Sequence, residues 1–137
     1  MGTAGYSDDL TIPNEAQLLR RIPPRHFVKD ENSGQIRPSS AAFDNHPNGS
    51  PMSVILADIL AQTGRDPETA LVGHEEFALA SITAGLAREC GQGIAREPLP
   101  DEPAHAVVFG EKPKRVQRKL AKESQWIIPP LQPRNPV

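Results

Sequence analysis

Residues 104–128 read AHAVVFGEKPKRVQRKLAKESQWII and show the clearest alternation of secondary structure in the chain. The apolar run Ala104–Phe109 predicts a strand, and Pro113 suits the first position of a helix that continues to about residue 123. Gln125–Ile128 predicts a second strand, which two prolines then end. Because the connection is long enough to cross a sheet, this unit allows two parallel strands joined by a helix.

Further strands are predicted where short apolar runs are bounded by proline or turn residues. Pro38 interrupts one of these runs, which therefore suits an edge strand or a strand with a bulge. The runs that predict strands are Leu18–Ile22, His26–Val28, Gln35–Phe43 and Ile94–Arg96.

A helix is predicted over residues 51–63, directly after the polar loop Asp44–Gly49. Ser50-Pro51 provides an N-cap residue and a proline suited to the first helical position. Apolar residues then recur every three or four positions, and Gly64 is a natural stop. A second cap-and-proline signal predicts a short helix from residue 67 to about residue 72.

Residues 75–90 fit two patterns. They could form one helix, or a strand over Phe77–Ile82 followed by a helix that Thr83 caps. Gly85 would weaken a long helix by about 1 kcal/mol relative to alanine, which favours the strand followed by a helix.

Together these elements predict a single α+β domain over residues 17–130, with a small mixed sheet and three or four helices. Residues 1–16 are polar and show no sustained period, so we expect a flexible or draped N-terminal arm. Residues 131–137 are expected to form an extended, proline-rich tail. The 15 prolines fall mainly at helix starts and connections, which is typical of a folded domain with rigid links.

The overall composition excludes several classes of protein. The formal net charge is −2, which gives no general attraction to nucleic acid or to a membrane surface. No apolar stretch approaches the ~20 residues of a membrane span, and the first residues lack the features of a secretory signal. The single cysteine excludes an intramolecular disulfide. We therefore expect a cytoplasmic protein that does not contact a membrane.

The histidines and the cysteine are the first candidates for chemistry. The four histidines, at positions 26, 46, 74 and 105, lack the close spacing of a metal site, and no metal is predicted. Cys90 and His105 could form a nucleophile–base pair, although a cysteine at the end of a helix is more often a small buried residue. The loop Asp44–Ser50 could present backbone N–H groups to an anion at the start of the predicted helix.

A local excess of positive charge lies between Glu111 and Glu123, where six Lys or Arg residues face two Glu. Most of them follow helical spacing, so they share one face of the predicted helix and could contact phosphates. Trp126 follows directly and could stack on a base. The candidate nucleic-acid contacts are Lys114, Arg115, Arg118, Lys119 and Lys122, and a second basic group comprises Arg20, Arg21 and Arg25.

The runs 37–43, 103–108 and 125–130 resemble small bacterial proteins of unknown function, a resemblance that spans most of residues 18–130. A fainter resemblance is to ADP-ribosyltransferase-like folds. It rests on Arg21 or Arg20 in an early strand, Ser39-Ser40 in a later one, and the helix that follows. The resemblance implies that the arginine grips NAD, and Glu97 is the available match for the acidic residue of a late strand.

These observations lead to three hypotheses. The first is a non-catalytic interaction or accessory protein, which binds a protein partner through the basic helix and the proline-rich edges and needs no cofactor. The second is an NAD-dependent transferase-like enzyme, with Arg21, Ser39, His46 and His105 as candidate catalytic residues. The third is a nucleic-acid-binding protein that uses the basic helix over residues 113–123.

Overall fold

The computed structural model describes residues 5–131, which contain eight short strands and three α-helices. The strands are β1 (Gln17–Ile22), β2 (Phe27–Lys29), β3 (Ile36–Pro38), β4 (Met52–Leu56), β5 (Ala78–Thr83), β6 (Gly93–Arg96), β7 (His105–Phe109) and β8 (Gln125–Ile128). The helices are α1 (Ala57–Gln62), α2 (Ala84–Glu89) and α3 (Lys114–Glu123), and 3-10 turns occupy Pro24–His26, Ser40–Ala42 and Pro67–Leu71.

Six of the strands form one sheet in the order β6-β7-β4-β1-β5-β8, and β2 pairs with β3 in a separate hairpin. Each neighbouring pair is antiparallel. The strands β7 and β8, which α3 connects, run in the same direction, but three strands lie between them. The predicted α+β class is confirmed, and the helices of residues 5–131 are all too short to cross a membrane.

The sheet carries an apolar core on each face because side chains alternate along its central strands. In β1, Leu18 and Ile22 join the larger core together with Phe43 and Leu120 of α3. Leu19 points to the opposite face and joins a smaller core that α1 and the third 3-10 turn cover. A central strand that is apolar on both faces reads in sequence as a continuous apolar run.

The helix predicted over residues 51–63 is wrong in its first half. Residues Met52–Leu56 form β4, which lies between β1 and β7 in the middle of the sheet. Its Val54 and Ile55 face opposite cores, and β-branched residues suit such a strand. Helix α1 begins only at Ala57, and the chain then turns at Gly64 with a φ of +71°. The predicted strand Gln35–Phe43 is likewise shorter and ends at Pro38.

The strand followed by a helix is confirmed for residues 75–90. Thr83 caps α2, because its hydroxyl accepts a hydrogen bond from the N–H of Leu86 at 3.1 Å. Gly85 lies against Asn14, where an added Cβ would come within 3.1 Å of the Asn14 side chain. The glycine therefore allows the N-terminal segment to approach the helix closely.

Residues 5–16 lie against the sheet although they contain no helix or strand. Ile12 is 2% exposed and belongs to the larger core, and Tyr6 stacks on Phe109 at 5.6 Å between ring centroids. Asp8 accepts hydrogen bonds from Arg88 and from the N–H of Ile94. The folded core thus includes residues from the predicted arm, whereas residues 1–4 of the arm and 132–137 of the predicted tail lie outside the described part.

Candidate binding clefts

The basic side chains of α3 share its solvent face, as the helical spacing predicts. The apolar side chains Val116 and Leu120 face the larger core, which turns the opposite side of the helix outward. Lys119 pairs with Glu123 one turn later. The exposed basic residues are Lys114, Arg115, Arg118, Lys119 and Lys122.

Lys112 belongs to the same charged run in the sequence but is buried. Its ammonium group donates hydrogen bonds to Asn45 Oδ1 at 2.6 Å and to the carbonyl oxygens of Val108 and Gly110. The pKa of Lys112 is lowered to about 8, mainly by burial; Asp44 opposes the shift, and the charge of Arg20 adds to it. Lys112 therefore links the loop before β4 to the end of β7 through hydrogen bonds, and its charge is not part of the basic surface of α3.

We call the first depression beside α3 the basic cleft. It has a volume of about 620 Å³ and lies between α3 and β3. Arg118 and Lys122 of α3, Arg37 of β3 and Trp126 of β8 line it, and Asp30 contributes one negative charge. Within residues 5–131, none of the three cations is paired with a carboxylate. The arginine from β3 could not be assigned to this surface from sequence spacing.

A second depression, the apolar cleft, also has Trp126 as a wall. Its volume is about 750 Å³, and Phe27, Ile36, Pro130 and Leu131 line it. The indole N–H of Trp126 donates to the carbonyl oxygen of Ile36 at 3.1 Å, and the ring meets Phe27 edge-on. Leu131 is 79% exposed. The tryptophan is thus held in place where a basic and an apolar depression adjoin.

A third depression, the polar cleft, has a volume of about 680 Å³ and lies beside the loop before β4. Three of the four histidines line it, namely His26, His46 and His105, together with Arg20 and Arg25. His74 lies elsewhere, against Phe77. Within the described residues, no three His, Cys, Asp or Glu side chains are grouped closely enough to hold a metal ion.

Hydrogen bonds fix the orientation of two of these histidines. His105 Nδ1 lies 2.9 Å from the carbonyl oxygen of Glu97, which can only accept, so the neutral ring carries its proton on Nδ1 and keeps Nε2 as an acceptor. Tyr6 donates to Glu97 Oε2 at 2.7 Å. His46 Nδ1 accepts from the N–H of Asn48 at 3.2 Å, which leaves its Nε2–H as a donor.

Arg20 of β1, which lines the polar cleft, has a structural role. Beyond Leu19 the ladder between β1 and β4 ends, and the Arg20 guanidinium donates to the carbonyl oxygens of Ala42 and Ser53 at 3.0 and 2.9 Å. Burial lowers the pKa of Arg20 to about 10, and Arg21 adds to the shift. The pKa of His26 is also lowered, mainly by burial and then by its arginine neighbours. This shift favours the neutral form of the His26 ring.

The structure brings together only some residues of the ADP-ribosyltransferase-like hypothesis: Arg20, His46, Glu97 and His105 line the polar cleft, whereas Arg21 and Ser39 do not. Arg21 points away from Arg20 and donates to the carbonyl oxygen of Ala70 at 2.6 Å. Ser39 caps a 3-10 turn by accepting from the N–H of Ala41. Only His46 of these three lines the polar cleft. The activity and its NAD cofactor stay predictions without a site built from Arg21, Ser39 and His46.

The structure changes the interpretation of two further candidates, the loop Asp44–Ser50 and Cys90. The loop Asp44–Ser50 leads into a strand, so the helix N-terminus that was expected to attract an anion does not follow it. Cys90 ends α2 and packs against the larger core, where burial raises the pKa of its thiol. A raised pKa opposes formation of the thiolate that a nucleophile requires. His105 instead contacts Glu97, whose carboxylate accepts a hydrogen bond from Tyr6.

Comparison of the chain with protein-family models, with curated proteins and with solved structures found no match. The resemblances noted in the sequence therefore stay predictions.

Proposed function

We propose that this is a non-catalytic accessory protein that binds a partner protein through the adjoining basic and apolar clefts. The observation that carries the proposal is the position of Trp126, which lines both clefts. A surface with an apolar centre and a charged rim is typical of protein interfaces, and tryptophan and arginine are enriched at their most important positions.

The chemistry of the two clefts defines the partner segment. Arg37, Arg118 and Lys122 favour carboxylates on one side of the tryptophan. Phe27, Ile36 and other apolar side chains favour apolar groups on the other side. A polypeptide segment that carries both acidic and large apolar residues satisfies both clefts. We place this function in the cytoplasm, in agreement with the composition of the chain.

Single-stranded nucleic acid is the second candidate for the same surface. Trp126 beside Arg37 and Arg118 provides the combination of an aromatic ring and positive charge that binds bases and phosphates. Asp30 in the basic cleft opposes phosphates and carboxylates alike, so it does not distinguish the two candidates. The apolar cleft suits aliphatic side chains, which a nucleic acid lacks, and this feature favours the polypeptide.

Fluorescence anisotropy with labelled probes tests the proposal. The probes are a peptide of alternating Glu and Leu, the same peptide with Gln for Glu, an oligoglutamate, and an oligothymidylate. We expect the Glu–Leu peptide to bind most tightly. Arg118→Gln removes one exposed charge and should weaken that binding about 1.4-fold to fivefold, because an exposed ion pair contributes about 0.2–1 kcal/mol.

Arg25→Gln is the matched control, since it removes an exposed arginine from the polar cleft and should leave peptide binding unchanged. Equal effects of the two variants would contradict the proposed surface. Tightest binding of the oligothymidylate, with a steep loss as salt increases, would replace the polypeptide with nucleic acid.

A further inference from the structure

The polar cleft is a second candidate binding site, because it shares no lining residue with the basic or the apolar cleft. Its volume of about 680 Å³ lies within the range of small-molecule sites, roughly 300–1,000 Å³. Residues from distant parts of the chain line it, from Tyr6 in the N-terminal segment to His105 and Val107 in β7. The fold thus gathers polar groups at one place.

One set of groups in the cleft favours an anion. Arg25 is exposed and is paired with no carboxylate within residues 5–131. The exposed ring of His46 keeps an N–H donor at Nε2 because its other nitrogen is already an acceptor. Asp44 is the acidic residue of the same loop that lines the cleft.

Another set of groups favours hydroxyls. His105 presents an acceptor nitrogen, since its proton is held by the carbonyl oxygen of Glu97. The carboxylate of Glu97 receives a hydrogen bond from Tyr6 on one oxygen, and its other oxygen can accept further donors. His26 Nδ1 is shielded from solvent and has no hydrogen-bond partner among the described residues. The cleft therefore offers acceptors as well as cationic donors.

We propose that the polar cleft binds a small hydroxylated anion, such as a sugar phosphate or a sugar acid. Arg25 and His46 donate to the anionic group, and Glu97 and His105 accept from the hydroxyls. The cations alone would bind any small anion, and the acceptors distinguish the hydroxylated ones. This binding is independent of the partner surface around Trp126, so either proposal can fail while the other holds.

NMR spectra of the four histidine rings provide the test, because His74 lies outside the cleft and is an internal control. The protein is titrated in parallel with ribose 5-phosphate, gluconate, ribose and inorganic phosphate. We expect the resonances of His26, His46 and His105 to shift in a saturable way, with His74 unchanged. Ribose and inorganic phosphate should bind more weakly than the two hydroxylated anions, and the tighter of those two identifies phosphate or carboxylate as the preferred group.

Two variants separate the two sets of groups. Arg25→Gln should weaken binding of ribose 5-phosphate about tenfold, the size of one charge-assisted hydrogen bond. Glu97→Gln should weaken the binding of ribose 5-phosphate but not that of inorganic phosphate. Arg118→Gln should leave the binding of both ligands unchanged. The proposal is overturned if no histidine shifts at millimolar ligand, if His74 shifts with the others, or if inorganic phosphate binds as tightly as ribose 5-phosphate.

Discussion

The buried Lys112 makes the stability of this protein depend on pH in a defined direction. Lys112 is 7% exposed, and its ammonium group makes three hydrogen bonds but no ion pair with a carboxylate within residues 5–131. Burial lowers its pKa from the ordinary 10.5 to about 8 in the folded protein. Between pH 8 and 10.5 the unfolded chain therefore binds more protons than the folded one, so the free energy of unfolding rises with pH across this window.

The size of the effect follows from the gap between the two pKa values. A gap of about 2.5, at about 1.4 kcal/mol for each pH unit, corresponds to between about 3 and 4 kcal/mol, of which about 3 kcal/mol is recovered by pH 10.5, where the unfolded lysine is half protonated. The folded state bears this penalty fully below pH 8 and loses most of it as the pH rises to 10.5. Other groups titrate in the same range, among them Arg20, whose pKa is about 10, so only a comparison with a variant isolates Lys112.

Urea unfolding of the wild type and of Lys112→Met at pH 7 and pH 10.5 measures this contribution. Methionine has a similar length and no charge, and Lys114→Met on the exposed side of α3 is the control. Relative to Lys112→Met, the wild type should gain about 3 kcal/mol between the two pH values. A difference that stays constant within about 0.5 kcal/mol, or one that Lys114→Met reproduces, would refute the assignment of a buried, destabilised charge.

Three further substitutions test the fold. Ile12→Ala should lower the free energy of unfolding by about 2–5 kcal/mol, because it removes a buried side chain. The control Leu10→Ala, at an 83% exposed position, should change that free energy by less than about 0.5 kcal/mol. Equal effects of the two variants in thermal melts would contradict the packing of the N-terminal segment against the core. Arg65 donates two hydrogen bonds to the buried Glu102 and lowers the pKa of that carboxyl group. The pair therefore stabilises the fold fully above pH 4.5, the ordinary pKa of glutamate. This stabilisation is lost as the pH falls through the lowered pKa of Glu102. Arg65→Gln should remove that part of the acid-induced loss, and a pH profile identical to the wild type would exclude it. Thr83→Ala should cost about 0.5–2 kcal/mol while Thr83→Ser restores the cap, and an alanine variant as stable as the serine one would argue against capping.

Local signals in the sequence predicted most of the secondary structure. Proline cannot donate to a sheet ladder or continue a helix, so Pro23 and Pro129 mark the ends of apolar runs correctly, whereas the strand predicted to continue past Pro38 ends there. The failure at residues 52–56 has a physical cause as well. A central strand that is buried on both faces lacks the alternation of a half-exposed strand, and its apolar positions matched a helical period by chance.

The candidate sites were much harder to predict. Helical spacing placed Arg118 and Lys122 on one surface, and the position of Trp126 just after the helix suggested their proximity. The contribution of Arg37 depends on how the β2–β3 hairpin lies against α3, and no local pattern contains that information. Lys112 belonged to the same charged run, and only the tertiary structure distinguishes its buried position from those of its exposed neighbours.

The polar cleft was harder still to predict from the sequence, because its residues are far apart along the chain. The hydrogen bond between Tyr6 and Glu97 joins residues 91 positions apart. Tyr6 had no role assigned from the sequence, and Glu97 was only the match for the acidic residue of a late strand. Short sequence motifs contain no signal that joins residues so far apart. His105 and His46 were candidates from their chemistry, but their common surface is a product of the sheet order and of the loop that Lys112 holds.

Intrinsic fluorescence tests the central claim most directly, because Trp126 is the single tryptophan of the chain. If a partner segment covers the junction of the basic and apolar clefts, titration with the Glu–Leu peptide should move the emission to shorter wavelength and saturate. Arg118→Gln should reach the same final spectrum at a higher peptide concentration. An emission spectrum that does not change while the peptide binds, or the absence of binding at any accessible concentration, would contradict the proposal that Trp126 lies at the centre of the partner surface.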